Sequence, residues 1–175
     1  MLIVGVMGSR REILIKPLIR AFTNRSYRVA AVTQTRRVRV PDELKDLAEA
    51  GSSLRIACSI DRVLISSNFP LKGLDDIVKA ISSLSPIEPD VIFFFGFEDI
   101  LGREDRVLKV ITAGSPPEAE QLLGRLSQPI VGVYVERGDF EGGFKDLDRL
   151  IGALIEEGIK RRLLQPPPLG AKLES

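Results

Sequence analysis

The hydrophobic pattern of the chain alternates between short apolar runs of strand character and segments with helical spacing. Apolar and β-branched runs predict strands in LIVGV (2–6), YRVAAVT (27–33), DVIFFFGF (90–97), RVLKVIT (106–112) and PIVGVYVE (129–136). Helical spacing follows the first strand and recurs over 74–84, 117–126 and 146–158. This order predicts a three-layer α/β fold with a mostly parallel sheet. The strands that include Leu2, Tyr27, Val91 and Ile130 are predicted among its central members.

The pattern is less regular between the second and third of these strands. Residues 42–50 predict a short helix, and residues 54–59 and 62–66 predict two short strands, either a hairpin or one strand with an irregular extension. Cys58 lies in an apolar strand without a histidine or second cysteine, which predicts a packing role. Residues 1–160 are predicted to be a single α/β domain, and the proline-rich residues 161–175 an arm or a disordered tail.

The turn after the first strand has the layout of a phosphate-binding loop. Aligned without gaps, the motif G-x-x-x-x-G-K-[ST] covers Gly5, Gly8, Ser9, Arg10, Arg11 and Glu12. Arg10 replaces the second glycine, Arg11 the lysine and Glu12 the hydroxyl residue. In a working loop the lysine neutralises phosphate and the hydroxyl holds Mg²⁺. The sequence therefore predicts a degenerate loop, with these residues as the candidate nucleotide or anion site.

Two further features of this region bear on anion binding. Ser9 and Glu12 fit a capping box, which would occupy the N–H groups that a phosphate needs. The second strand leads into Arg36 and Arg37, and the carboxyl ends of parallel strands share one edge of a sheet. Two interpretations stay open for these arginines: a shared anion site with the loop, or a solvated basic turn that discourages aggregation.

The apolar strand of residues 90–97 lacks an acidic residue where P-loop enzymes carry one. Phe95 stands at the strand end, where an acid would position Mg²⁺ or water. Glu98 and Asp99 come after Gly96 and are predicted to lie in a solvated loop. The sequence accordingly predicts no catalytic residue and no metal site.

Composition narrows the function classes. The 175 residues include no histidine and one cysteine, which argues against zinc sites and Ser-His hydrolases. A net charge of +1 gives no general reason to expect nucleic acid as a partner. The absence of a signal-like start and of a long apolar run predicts a cytoplasmic protein without membrane contact. Eleven prolines and few thermolabile residues favour a thermophilic source.

The order and spacing of these segments resemble the molybdopterin-guanine dinucleotide biosynthesis protein B (MobB) family, a branch of the P-loop NTPases. The similarity covers about residues 2–157, through GSRREILIKPLI, YRVAAVTQTRR, DLAEAGSSLRIACSIDRVLIS, DVIFFFGFED and PIVGVYVE. The resemblance implies a dimeric accessory factor that binds GTP and assists the guanylyltransferase that attaches GMP to molybdopterin. At the positions that match the family, Arg11, Glu12 and Phe95 replace the lysine, the hydroxyl residue and the acid.

These replacements imply an accessory protein of molybdenum cofactor biosynthesis with a non-hydrolysing site, rather than an enzyme. No cofactor follows with certainty; GTP without tightly held Mg²⁺ is the nearest candidate. One alternative is GTP or a pterin pyrophosphate bound by Arg10, Arg11, Arg36 and Arg37. A second alternative is an α/β domain unrelated to cofactor synthesis. The implied partners are a second copy of the chain and a molybdopterin guanylyltransferase.

Overall fold

The strands and helices follow the predicted order. A computed structural model describes residues 1–34, 41, 42, 45, 49, 50, 52, 54–58, 63–67 and 73–167. The strands are β1 Leu2–Gly8, β2 Val29–Thr33, β3 Leu54–Cys58, β4 Val63–Ser67, β5 Val91–Phe95, β6 Leu108–Ala113 and β7 Ile130–Val135. The helices are α1 Glu12–Thr23, α2 Leu74–Leu84, α3 Glu98–Leu101, α4 Pro116–Leu123 and α5 Leu147–Lys160.

The chain divides into two compact units. The first comprises Met1–Gln34 and Val78–Ser175, and the second comprises Thr35–Ile77. Most of the predicted helix 42–50, the side chain of Cys58, and both Arg36 and Arg37 lie outside the described residues. None of the helices in the described ranges has the length and apolar character needed to cross a bilayer.

The first unit contains a five-stranded parallel sheet with the order β2-β5-β1-β6-β7. The predicted parallel α/β architecture is confirmed. Every residue of β5 is buried, as expected for an apolar strand covered on both faces. The prediction that the strands of Tyr27 and Ile130 are central was wrong, since β2 and β7 form the two edges. Two of the five β2 residues, Ala31 and Thr33, are exposed.

Helices cover both faces of this sheet and make three layers. On one face, the core contains Val4, Phe93 and Val110 from the sheet, Leu14 and Phe22 from α1, and Leu150 and Leu154 from α5. On the other face, Ile111 and Val133 pack with Ala119 of α4. Burial of these apolar side chains is the main favourable term in folding. It also fixes the carboxyl ends of the strands, where the candidate site lies.

The second unit contains a two-stranded antiparallel sheet. Strands β3 and β4 pair from Leu54 opposite Ser67 to Cys58 opposite Val63, so the hairpin alternative is the correct one. Ile56 lies directly opposite Ile65, and both side chains are exposed. Cross-strand neighbours lie on the same face of a sheet. The hairpin therefore presents an apolar pair to its surroundings.

The residues that follow α5 pack against the core of the first unit, to which they belong. Leu164 is buried within the core cluster, and the Tyr27 hydroxyl donates to the Gln165 carbonyl oxygen over 2.6 Å. Residues 168–175 lie outside the described residues. The stretch 161–167 is thus held by contacts, although it contains no helix or strand.

Candidate functional site

The candidate site lies at the carboxyl edge of the parallel sheet. Strand β1 lies between β5 and β6, so the ends of these three strands meet at this edge. Open α/β sheets bind ligands at this edge. The connection from β1 to α1 consists only of Ser9, Arg10 and Arg11.

This short connection changes the alignment with the phosphate-binding motif. Gly5 lies inside β1, where it pairs with Phe94 and Lys109 on either side. The turn therefore begins at Gly8, and half of the aligned motif is strand rather than loop. The predicted capping box is also wrong: Arg11 is the N-cap residue of α1, and its side chain makes no capping hydrogen bond. Ser9 instead lies beside Glu118 of α4. Glu12 is exposed in the first turn of α1.

Gly8 occupies a position that only glycine can fill. Its φ is +110°, and a β-carbon there would lie 1.9 Å from the Thr112 carbonyl oxygen. The buried Thr112 hydroxyl donates to the Met7 carbonyl oxygen over 3.0 Å and links β1 to β6. The Gly8 N–H donates to Glu98 Oε1 over 2.9 Å. A backbone donor at the loop therefore holds a carboxylate of the protein itself.

The backbone before Glu98 is fixed by several contacts. Gly96 has a φ of +93°, and Phe97 has a φ of +69°, which is uncommon for a residue with a side chain. The Phe97 N–H donates to Gln34 Oε1 over 2.8 Å, and the Phe97 ring packs edge-on against Phe94. These contacts start α3 immediately after β5 and place Glu98 beside β1. The prediction that Glu98 lies in a solvated loop was therefore wrong.

A second carboxylate, that of Glu118 on α4, contacts the same loop. Its Oε2 accepts from the Gly114 N–H over 2.8 Å. The Ser9 hydroxyl and the Ser9 N–H also lie beside this carboxylate. The Ser9 hydroxyl is the main cause that lowers the pKa of Glu118, followed by the Gly114 N–H, because both stabilise the charged form. Glu118 therefore joins the ends of β1 and β6 as an anion.

The loop arginines face acidic and backbone groups of the protein. Arg10 Nε lies 3.0 Å from Glu136 Oε2, in an ion pair whose side chains are both partly exposed. Arg11 Nη1 makes only a long contact of 3.4 Å with the Gly8 carbonyl oxygen. The structure thus brings Gly8, Ser9, Arg10 and Arg11 together at this edge. Arg36 and Arg37 remain outside the described residues.

The residues at this edge do not fit a magnesium nucleotide. The lysine and the magnesium-binding hydroxyl residue are replaced, and the backbone donors of Gly8 and Gly114 are bonded to glutamates. Within the described ranges, no group of three or more potential ligand side chains could hold a metal ion. The arrangement can bind an anion only where Glu98 or Glu118 gives up its hydrogen bonds.

Sequence reasoning missed three acidic residues of this site: Glu98, Glu118 and Glu136. Each belongs to the segment that follows a strand of the parallel sheet, namely β5, β6 and β7. That shared placement after strand ends was the available signal. Ser115 and Glu118 also have the spacing of a capping box. Here Glu118 bonds the N–H of Gly114, one residue before the N-cap.

Solved structures share this fold. A crystal structure of molybdopterin-guanine biosynthesis protein B (MobB) has a TM-score of 0.66 and 18% identity, with 89% of this chain and 98% of that chain covered. A MobB homologue from Bacillus stearothermophilus has a TM-score of 0.65 and 19% identity, over 92% of this chain and 100% of that chain. Bacillus subtilis MobB has a TM-score of 0.61 and 12% identity, over 94% and 99%.

These similarities confirm the predicted fold class. The chain has the α/β fold of the MobB structures along most of its length. No protein-family model matches the sequence, and no curated protein matches it significantly. At this level of identity the shared property is the fold, and function has to be argued from the site.

Proposed function

We propose that this chain is a non-hydrolysing accessory protein of molybdopterin guanine dinucleotide biosynthesis. One observation carries the proposal: on a fold shared with MobB, the loop donors that would bind phosphate are occupied by Glu98 and Glu118. An NTPase needs a phosphate-binding loop whose donors are available to its substrate. A protein that keeps the fold but has no free donors for phosphate is suited to act by binding other proteins.

The proposed partners are a molybdopterin guanylyltransferase and a second copy of the chain. The exposed pair Ile56 and Ile65 supports self-association, because the β3–β4 hairpin presents apolar side chains that a second copy of the chain can cover. Light scattering at high micromolar concentration should report a dimer, and a monomer at that concentration would contradict this part of the proposal. A cytoplasmic location and a thermophilic source belong to the same proposal.

The nucleotide part of the proposal is tested by thermal unfolding in the presence of GTP, with and without Mg²⁺. We expect no change in Tm, because a ligand that binds the native state must stabilise it by RT ln(1 + [L]/Kd). A rise of several degrees would instead support the alternative in which arginines bind GTP or a pterin pyrophosphate. The ion pair of Arg10 with Glu136 gives that alternative less support.

The pathway part needs a separate assay. Purified guanylyltransferase from the same organism is incubated with molybdopterin and GTP, and dinucleotide formation is compared with and without this protein. We expect faster formation and a complex detectable by size-exclusion chromatography. If neither is observed, the role in cofactor synthesis is rejected. The alternative of an α/β domain unrelated to cofactor synthesis then takes its place.

A further inference from the structure

We propose that Glu98 and Glu118 are built-in occupants of an oxyanion-binding cradle, and that neutralising them restores binding of pyrophosphate-type anions. The cradle is defined as the backbone N–H groups of Gly8, Ser9 and Gly114 together with the Ser9 hydroxyl. The inference rests on the proposed function, since it states what keeps the proposed nucleotide site closed. It differs from the sequence-based explanation, which assigned the closure to Arg10, Arg11 and Glu12.

The cradle already binds anionic oxygens. The Gly8 and Gly114 N–H groups hold Glu98 Oε1 and Glu118 Oε2 at 2.9 and 2.8 Å, and the Ser9 hydroxyl and N–H lie beside Glu118, where they lower its pKa. Charge-assisted hydrogen bonds of this kind are stronger than neutral ones. Two backbone donors at neighbouring strand ends that each hold a carboxylate oxygen are chemically suited to hold phosphate oxygens instead.

The backbone of the cradle is also held by contacts that do not involve the glutamates. Gly8 is held in its left-handed conformation beside the Thr112 carbonyl, and Thr112 is itself bonded to Met7. Glu98 and Glu118 are only half-buried, so their side chains can turn towards solvent without exposing core residues. An anion can therefore replace them by side-chain rotation alone.

The backbone turn that carries Glu98 supports an occupying role. Phe97 adopts a positive φ, which is strained for a residue with a side chain. Gln34 and Phe94 hold this turn in place. The turn directs Glu98 towards the end of β1, whereas the neighbouring Asp99 is exposed. The strained turn therefore places Glu98 where its carboxylate accepts the hydrogen bond from Gly8.

Positive charge next to the cradle would assist an incoming anion. Arg10 Nε lies 3.7 Å from the position that a β-carbon of Gly114 would take. Arg11 lies at the start of α1, close to the Gly8 carbonyl. Once the two carboxylates are neutral, Arg11 and the backbone donors act on the same ligand, while Arg10 stays paired with Glu136.

The test is isothermal titration of inorganic pyrophosphate into the full chain and its Glu98→Gln/Glu118→Gln variant at neutral pH. Glutamine keeps the side-chain shape and removes the charge. We expect the wild type to show no binding up to roughly millimolar concentration, and the variant to bind at least about tenfold more tightly. Glu98→Ala/Glu118→Ala removes the occupants altogether and should bind at least as well as the glutamine variant.

The matched control is Asp99→Asn/Glu120→Gln. It removes the same number of charges from the same two helices, at exposed positions outside the cradle. We expect this control to behave as the wild type does. Amide NMR of Gly8 and Gly114 then locates the ligand, because their signals should shift with pyrophosphate in the glutamine variant and stay unchanged in the control.

Three results would overturn the inference. In the first, the folded glutamine variant binds pyrophosphate no better than the control, in which case the closed site of the proposed function still stands. In the second, binding occurs while the Gly8 and Gly114 signals do not move. In the third, the wild type already binds as tightly as the variant, which also refutes the closed site. The guanylylation assay is independent of all three.

Discussion

Charged side chains form hydrogen bonds with backbone groups at both ends of the strands of the central sheet. The side chains are acidic at the carboxyl edge, where the strands end, and basic at the amino edge, where they begin. At the carboxyl edge, Glu98 and Glu118 accept hydrogen bonds from the N–H groups of Gly8 and Gly114. At the amino edge, the Lys109 ammonium donates to carbonyl oxygens of the segments before β6 and β7. Unpaired backbone groups are costly when buried, and both arrangements remove that cost.

The charged side chains at the amino and carboxyl edges differ in how deeply they are buried. Lys109 is fully buried, and its Nζ lies 2.7 Å from the Glu104 carbonyl oxygen, with longer contacts of 3.4 and 3.5 Å to those of Val107 and Gln128. Burial lowers the pKa of Lys109, and the nearby Asp105 and Glu104 carboxylates oppose this shift. Glu98 and Glu118 remain half-buried. The lysine is therefore a fixed structural group, and the proposed exchange with a ligand concerns the half-buried glutamates alone.

The largest expected effect on stability comes from removing the buried ammonium group of Lys109 at the amino edge. Lys109→Met keeps most of the side-chain volume but leaves the Glu104 carbonyl without its close donor. We expect the free energy of unfolding to fall by about 2 to 3 kcal/mol, the cost of losing a charged hydrogen bond and leaving a buried acceptor unpaired. Urea unfolding followed by circular dichroism measures it.

Lys79→Met is the control for that variant. Lys79 is exposed on α2, and such surface substitutions usually stay within about 0.5 kcal/mol. If the two variants lose the same stability, Lys109 has no special structural role and the contrast between the edges disappears.

A smaller loss is expected at the carboxyl edge. Glu118→Gln keeps an acceptor for Gly114 and Ser9 but removes the charge from these hydrogen bonds. We expect a loss of about 1 kcal/mol in the free energy of unfolding, since charge assistance is the only term removed. The same urea experiment measures it. Glu120→Gln, exposed on the same helix, should lose almost nothing.

The strands could be predicted because their signal is local. Residues Val91–Phe95 form an unbroken apolar run, and such a run is buried wherever it lies in a parallel sheet. Strand order is not local: β2 and β7 are edges because β5 and β6 lie between them and β1. The sequence pattern contains the strands but not the order in which they pair.

The location of the candidate loop could be predicted, but the hydrogen-bond partners of its residues could not. Gly8 and Ser9 were correctly placed at the carboxyl edge, yet their hydrogen-bond partners belong to segments far away in sequence. Glu98 lies 90 residues from Gly8, and the contact exists only because β5 is a neighbour of β1. The Ser-x-x-Glu spacing was assigned to Ser9 and Glu12, where a local helix cap was expected. Tertiary contacts of Ser9 with Glu118 replaced that cap.

The smallest expected effect is the pH dependence of the carboxyl edge. The pKa of Glu118 is lowered below its usual value of 4.5, first by the Ser9 hydroxyl and then by the Gly114 N–H. A carboxyl with a lowered folded-state pKa stabilises the fold above its unfolded pKa, and this contribution disappears as pH falls through the folded-state pKa. The stability difference between wild type and Glu118→Gln should therefore be constant above about pH 5.5 and shrink below about pH 4.

Urea unfolding of both proteins across this pH range isolates Glu118 from the other carboxyl groups. Asp90, whose pKa is lowered mainly by the Arg28 hydrogen bond, is present in both proteins and cancels in the difference. We expect the difference to approach zero in acid, because protonated glutamate and glutamine are both neutral. A difference that stays constant down to about pH 3 would mean that the Glu118 charge contributes nothing through these bonds. The carboxyl edge would then resemble the fixed amino edge, and exchange of its glutamates with a ligand would lose its electrostatic basis.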